Sequence, residues 1–466
     1  MFNIRFILEI VLFLAQGIFE ILNSAPSMDT LEERTQCLIQ EAGGRLMVEA
    51  LAQADKKLGG ERDPLLKAVG FRSRTLITCF GEITIRRRLY RHQKTNESHF
   101  LLDEALKLPP RKRSTERITN LMLELGTEMP FRRAARTLGL LLPGVHAMTI
   151  WANVQQAGKR ALKEQKEQRQ ALFQDGVAAQ GSELTEELSI EADGVIIPLQ
   201  RSSKRHQEIK LMVGYEGKDK KTHALLNRHS VATIANGNEA WEIASAAFAN
   251  KWDLSRVKEI RIGGDGAQWV KLGLGLFPGA SYHLDPFHIR KRLTEALGQS
   301  PKLHQAVSQG LRELDQAAVT ASLERAAKAA KGSQRTRIRQ LKSYLLSNWD
   351  GIAQLPEEQR LGAIEGQVRH TIARRMKRIG ARWSPHGAEG MSCLLAAKAN
   401  RNLTSYAMET DVSETKVLRA AVGARAIDIP EGLRQDPQSW LRANCPALVG
   451  PHAGRTWVKA LREMCW

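Results

Sequence analysis

The run Leu188-Ser189-Ile190-Glu191-Ala192-Asp193-Gly194-Val195-Ile196-Ile197-Pro198-Leu199 carries Asp193 inside a stretch that is otherwise mostly apolar and β-branched. The run is predicted as a buried strand, and a charge at Asp193, between Ile190 and Ile196-Ile197, is penalised there unless a cation or a polar partner compensates it. The plainer reading is an aspartate that caps a turn before Gly194. Two further clusters pose the same question. Gly264-Asp265-Gly266-Ala267 follows the apolar run Val257–Ile262, and its glycines let the backbone approach a ligand, although Asp-Gly also makes a tight turn by itself. Ile364-Glu365-Gly366-Gln367-Val368 opens a stripe of Ile364, Val368, Ile372, Met376 and Ile379. That spacing sets Glu365 at the border of a buried helix face, with Arg369 one turn further on; alone, such a glutamate reads as a surface residue.

The surroundings of these acids are basic. Lys and Arg number 69 against 50 Asp and Glu, a formal net charge of +19 and a pI near 9.9, so the average surface attracts polyanions such as nucleic acid. A hydrophobic content of 42% is that of a folded protein rather than a disordered one, and 466 residues exceed one ordinary core. Cys37, Cys79, Cys393, Cys445 and Cys465 are odd in number and show no Cys-x-x-Cys spacing. This argues against a disulfide framework and a zinc ribbon, and suggests a reducing, cytoplasmic setting. Phe2 to Leu22 is apolar enough to imitate a signal peptide or membrane anchor, but Glu9 and Glu20 interrupt it, and a buried or partner-facing helix suits it better. Met28 is an alternative start, which would make residues 1–27 spurious.

Reading outward from the first cluster, residues 188–402 alternate strands and helices, and residues 1–187 do not. Strands are predicted at Leu188–Leu199, Glu208–Tyr215, Thr222–Arg228, Val257–Ile262 and Ala280–Leu284, with a helix over Asn238–Lys251. Three strands, a helix, two more strands and a late helix with an acidic residue give an α/β domain of ribonuclease-H-like order, interrupted at about 291–361 by a helical insertion. Residues 1–69 read as helical. Residues 70–160 hold a hairpin, with a turn placed at Gly81-Glu82 and Arg86, Arg87 and Arg88 on its second strand, then a helix-turn-helix-like region from Phe131 with Arg132 and Arg133. The arginine strand suits either a phosphate backbone or a solvated edge. Residues 161–187 are predicted as an exposed linker helix, and 403–466 as a tail with Trp440, Trp457 and Trp466.

Taken in order, Glu191-Ala192-Asp193-Gly194, Glu208-Ile209-Lys210-Leu211, Gly264-Asp265-Gly266-Ala267-Gln268-Trp269, Leu284-Asp285-Pro286-Phe287-His288 and Glu365-Gly366 with Arg375-Met376 and Trp383 closely resemble the ISLre-type insertion-sequence transposases, relatives of the Mutator-like DDE transposases. The resemblance runs from about Leu76 to Asn402 and departs from the pattern at none of the acidic positions. It implies a catalytic and metal-binding triad of Asp193, Asp265 and Glu365, and an Asp-x-x-His motif of Asp285 and His288, with His288 orienting a ligand or contacting the scissile phosphate. A histidine satisfied at a helix start is the alternative. Two Mg²⁺ or Mn²⁺ ions, double-stranded DNA from transposon ends and target, and a homo-oligomer follow from the same resemblance. Arg290, Lys291, Arg292, Arg369, Arg374, Arg375 and Lys377 would line the DNA path, a solvated face being the default for such a charge run, and Trp269 and Trp383 would stack on an unpaired base or pack in the core. The rival readings are a nuclease or resolvase without strand transfer, and a non-catalytic DNA-binding remnant.

Overall fold

The computed structural model describes residues 4–24, 27–140, 142, 144–177, 181–352, 361–377 and 380–407. The tail tryptophans Trp440, Trp457 and Trp466, with Cys445, Cys465 and Ile379, lie outside the described residues.

Two helices come first, α1 (Ile4–Ser24) and α2 (Met28–Gly60), the latter capped by the Ser27 hydroxyl accepting from Thr30 N. By length and composition alone α1 could cross a membrane, and 11% of its apolar window is buried. The helix expected to 69 stops at Gly60, because Leu66 already pairs with His92 in a hairpin of β1 (Leu66–Thr78) and β2 (Gly81–His92). Its turn is Cys79-Phe80, not Gly81-Glu82. The Thr78 hydroxyl accepts from Phe80 N and donates to Gly81 O, which settles the register two residues earlier than the glycine suggests. A short strand β3 (Ser98–His99) and helix α3 (Leu101–Ala105) complete this unit, and Leu76, Ile83, Ile85 and Leu102 bury against Met47, Val48 and Leu51 of α2.

Helices α4 (Glu116–Glu128), α5 (Phe131–Gly139) and α6 (Ala147–Phe173) follow, with Pro130 between the first two and Gly144 between the last two. Of the linker helix expected over 161–187, the part to Phe173 is helical, as the end of a longer helix. That part is not exposed throughout, since Ala161 and Leu162 are buried and Arg169 bonds Glu239 and Glu242.

The second sheet has five strands: β4 (Glu187–Pro198), β5 (His206–Tyr215), β8 (His229–Thr233), β9 (Glu259–Gly264) and β10 (Ser281–Leu284). A separate two-stranded ribbon, β6 (Gly217–Lys218) and β7 (Leu225–Leu226), links β5 to β8. The third strand therefore falls at 229–233 rather than 222–228, where positive φ at His223 and Asn227 breaks the extended chain. Strand order is β10-β9-β4-β5-β8; β4, β5 and β8 are antiparallel, whereas β9 runs parallel to β4 and β10 parallel to β9. Helix α7 (Gly237–Lys251) joins β8 to β9, and a short α8 (Gln268–Lys271) follows β9.

Alternation along β4 sends Ile190 and Ala192 to one face, into a core with Met212, Trp241 and Phe248, and Val195 and Ile197 to the other. That second face is covered by α6 and by α15 (Pro385–Ala399), and its core runs without a break into Met122 and Leu123 of α4. Between β10 and that face lies the insertion: α9 (Pro286–Leu297), α10 (Pro301–Arg312), α11 (Gln316–Ala329) and α12 (Gly332–Ser347), around its own core of Leu293, Val307, Leu323 and Leu341. The chain then re-enters as α13 (Ile364–Gln367), a π-helical turn over Val368–Ala373, and α14 (Arg374–Met376).

Candidate metal centre

Asp193 is only 8% exposed, and the even spacing from Val195 and Ile197 puts it on the helix-covered face of β4. Glu365 stands in α13 above that face, and His288 in the first turn of α9, directly after β10. One ligand atom from each of Asp193, His288 and Glu365 lies within 4.8 Å of the other two. Residues 77 and more apart in the chain thus converge because a strand centre, a strand-end helix and a late helix meet at one corner of the sheet. A π turn beginning three residues after Glu365 widens the helix near this corner, and such turns are frequent at functional sites.

The other two acids sit at the rim. Asp265 follows β9; its Oδ1 accepts from Ala267 N at 2.9 Å, and its charge is one of those felt by Asp193. It stands outside the three-residue group, so the structure brings Asp193, Glu365 and His288 together more tightly than the expected triad. Asp285 caps α9 with Oδ1 accepting from Phe287 N, and is 1% exposed. His288 Nε2 is 3.8 Å from Asp285 Oδ2, too far for a hydrogen bond.

Electrostatics mark the corner as costly. Burial pushes the Asp193 carboxyl up to about 7, with Asp265, Glu365 and Asp285 adding repulsion, while the hydrogen bond from Gly194 N pulls the other way. Asp285 is raised too, first by burial and then by the charges of Glu191 and Glu365, with His288 opposing. Two buried atoms here, Asp285 Oδ2 and His288 Nε2, have no hydrogen-bond partner. Carboxylates that repel one another, beside an unpaired imidazole nitrogen, fit a divalent cation: the oxygens suit Mg²⁺ or Mn²⁺, and the imidazole favours Mn²⁺ over Mg²⁺. Asp193, Glu365 and His288 would hold it, with Asp265 and Asp285 at the margin.

The basic residues divide. Arg290, Lys291, Arg132, Arg133 and Arg369 are exposed, with Arg290, Lys291 and Arg369 on the helices that carry His288 and Glu365. Arg292 is exposed too, its guanidinium 4.0 Å over the Tyr344 ring. Arg374 is exposed beside Glu128 at 3.7 Å, and Lys377 is exposed. Others expected on DNA are engaged inside the protein. Arg87 pairs with Asp103 over the Phe100 ring, and Arg88 reaches Asp55 at 3.7 Å, leaving Arg86 as the exposed member of the Arg86-Arg87-Arg88 triplet. Arg375 is 8% exposed, donates to Gly126 O and lies against Phe131 and Trp383. Trp383 is 7% exposed and donates to Met376 O, so it packs rather than stacks on a base. Trp269 is half-buried, its carbonyl accepting from Trp241 Nε1. A groove of about 1840 Å³ between the hairpin and α4 is lined by Arg74, Arg87 and Arg117 but contains none of the clustered acids.

Sequence reasoning passed over three residues that shape this corner. Glu191 is 1% exposed and accepts hydrogen bonds from the chain just before Glu365; Tyr344 OH donates to Asp265 O at 2.9 Å; Asn348 packs on Gly266. None is marked by spacing, because each acts across a fold boundary.

Residues 22–409 match an uncharacterised protein family, UPF0236. A UPF0236 protein of Caldanaerobacter subterraneus subsp. tengcongensis is 24% identical over 393 residues, 82% of this chain and 80% of the relative. A UPF0236 protein in the vanSb 3′ region of Streptococcus gallolyticus is 28% identical over 426 residues, 85% of this chain and 90% of the relative.

Proposed function

We propose that this chain, which belongs to the uncharacterised family UPF0236, is a cytoplasmic DNA transposase of the DDE class that cuts transposon ends and joins them to target DNA. The observation that carries the reading is the convergence of Asp193, His288 and Glu365 within 4.8 Å on a sheet ordered β10-β9-β4-β5-β8. An antiparallel meander followed by two parallel strands on its inner side is the order of ribonuclease-H-like nucleic-acid enzymes, which supports that fold and this substrate class. The name of one relative joins eleven designations of a single strain, which is what a sequence that copies itself through a genome would leave.

Bound divalent cations, Mg²⁺ or Mn²⁺, would supply nucleophile activation and stabilisation of the leaving oxygen. The residues have separable tasks. Asp193 and Glu365 provide hard oxygen donors from opposite sides of the corner, with Asp265 beside them, and His288 provides nitrogen or contacts the scissile phosphate. Asp285 fixes the first turn of α9 and so the placement of His288. Exposed Arg290, Lys291 and Arg369 hold the phosphate backbone against the acids that would otherwise repel it. Two transposon ends must be handled together, which calls for a homo-oligomer.

Incubating purified protein with a pre-cut end and a supercoiled plasmid tests the reading. Joined product is expected from wild type with Mn²⁺ and loss of at least a hundredfold from Asp193→Asn and Glu365→Gln, with DNA binding retained. Cleavage without joining would instead establish a nuclease, and full activity in both variants would remove the catalytic assignment.

A further inference from the structure

Glu191 lies two residues before Asp193 on β4, on the same face of the sheet, and is 1% exposed. A buried carboxylate has to be neutralised or fully hydrogen-bonded. This one is fully bonded, and its partners come from two directions. Oε1 accepts from Tyr215 OH at 2.5 Å and Ala363 N at 3.1 Å; Oε2 accepts from Gly362 N at 2.7 Å and Ile364 N at 3.2 Å. A carboxylate has about four lone-pair sites. All are taken by groups of the chain itself, so Glu191 keeps no capacity to ligate a cation or meet substrate.

What it holds is the segment that ends in Glu365. The three amides belong to residues 362–364, where the helical stretch opens and where N–H groups have no partner within the helix. Gly362 has φ +115, a conformation that side chains rarely adopt, and this turns its N–H onto Glu191. One strand therefore carries Asp193 and the anchor, and the anchor grips the residues immediately before Glu365.

We propose that Glu191 is a positioning residue that sets the separation of the Asp193 and Glu365 carboxylates and so builds the cation site. The inference rests on the metal-dependent reading above, and the test separates the two. Mn²⁺ titration of the full chain by calorimetry, with the electron paramagnetic resonance signal of bound Mn²⁺ as second readout, compares wild type, Asp193→Asn and Glu191→Gln. Glutamine keeps the shape but points an NH₂ donor at amide donors. Expected is Mn²⁺ binding at least tenfold weaker in Glu191→Gln, with an altered resonance signal and with far-UV circular dichroism and duplex-DNA binding unchanged, in line with what a residue behind the ligands commonly contributes. Loss in Asp193→Asn with wild-type affinity and signal in Glu191→Gln overturns the inference alone. Undiminished binding in Asp193→Asn overturns the metal reading and the inference with it. Should Glu191→Gln not fold, Tyr215→Phe removes one of the four bonds. A several-fold weaker, folded Tyr215→Phe supports the inference, and wild-type binding in it overturns the inference.

Discussion

Asp193 puts the strongest demand on its surroundings, and the sign of that demand can be followed with pH. A free aspartate ionises near 4, whereas burial and three neighbouring acids hold this one up to about 7. Between those values the folded state binds more protons than the unfolded state, so stability without metal falls as pH rises through this window. Each tenfold change in proton affinity is worth about 1.4 kcal/mol, so the ionised group destabilises the fold by a few kcal/mol. Urea midpoints taken in chelator at pH 5 and pH 8 should drop more for wild type than for Asp193→Asn, leaving the variant the more stable at pH 8. Mn²⁺ should then restore wild type only. Parallel curves for the two proteins would mean that Asp193 is not strained. The sequence made this residue legible because an aspartate amid Ile190, Val195 and Ile197 is an anomaly in a strand. Glu191 was not legible in the same way: three of its four partners are backbone amides 171 to 173 residues away, and amides carry no sequence signal.

Elements were readable wherever hydrophobic period decided them and misread where a tertiary contact did. The strands around Asp193 and Asp265 and the helix at Gly237–Lys251 fall where alternation and period put them. The polar composition of residues 161–187 predicts an exposed linker helix, yet α6 stays on the core through Ala161 and Leu162, and a small-residue contact lies just before them. A Cβ at Gly158 would come within 2.9 Å of Gly390 Cα, so α6 and α15 touch backbone to backbone. Gly158→Ala should destabilise by roughly 1–3 kcal/mol through overpacking, outweighing the helix propensity that alanine adds. Gly139→Ala, in α5 with nothing within 4 Å of its Cβ, should be neutral or mildly stabilising. Chemical denaturation of both variants checks the pair, and equal effects would deny the close approach.

At the scale of the whole molecule, a net charge of +19 has to coexist with five acids gathered at one corner, and the arrangement of the basic residues resolves the conflict. The three arginines of β2 suit either a phosphate backbone or a solvated edge, because a sequence shows charges and not their partners. Arg87 is held by Asp103, with both side chains nearly buried, whereas Arg290 and Lys291 stand exposed on the helix that delivers His288. The two classes should separate in the salt dependence of DNA binding. Each phosphate contact contributes about 0.9 to the slope of log affinity against log salt. Arg290→Ala with Lys291→Ala should flatten that slope by roughly 2 and leave thermal stability near wild type, since neither side chain is buried. Arg87→Ala should leave the slope unchanged and destabilise the fold by about 1 kcal/mol, through lost packing on the Phe100 ring, since Arg74 still pairs with Asp103 at 2.7 Å. The reverse result, a flatter slope for Arg87→Ala and none for the α9 pair, would move the DNA path from the acidic corner to the hairpin and detach the basic surface from the metal chemistry.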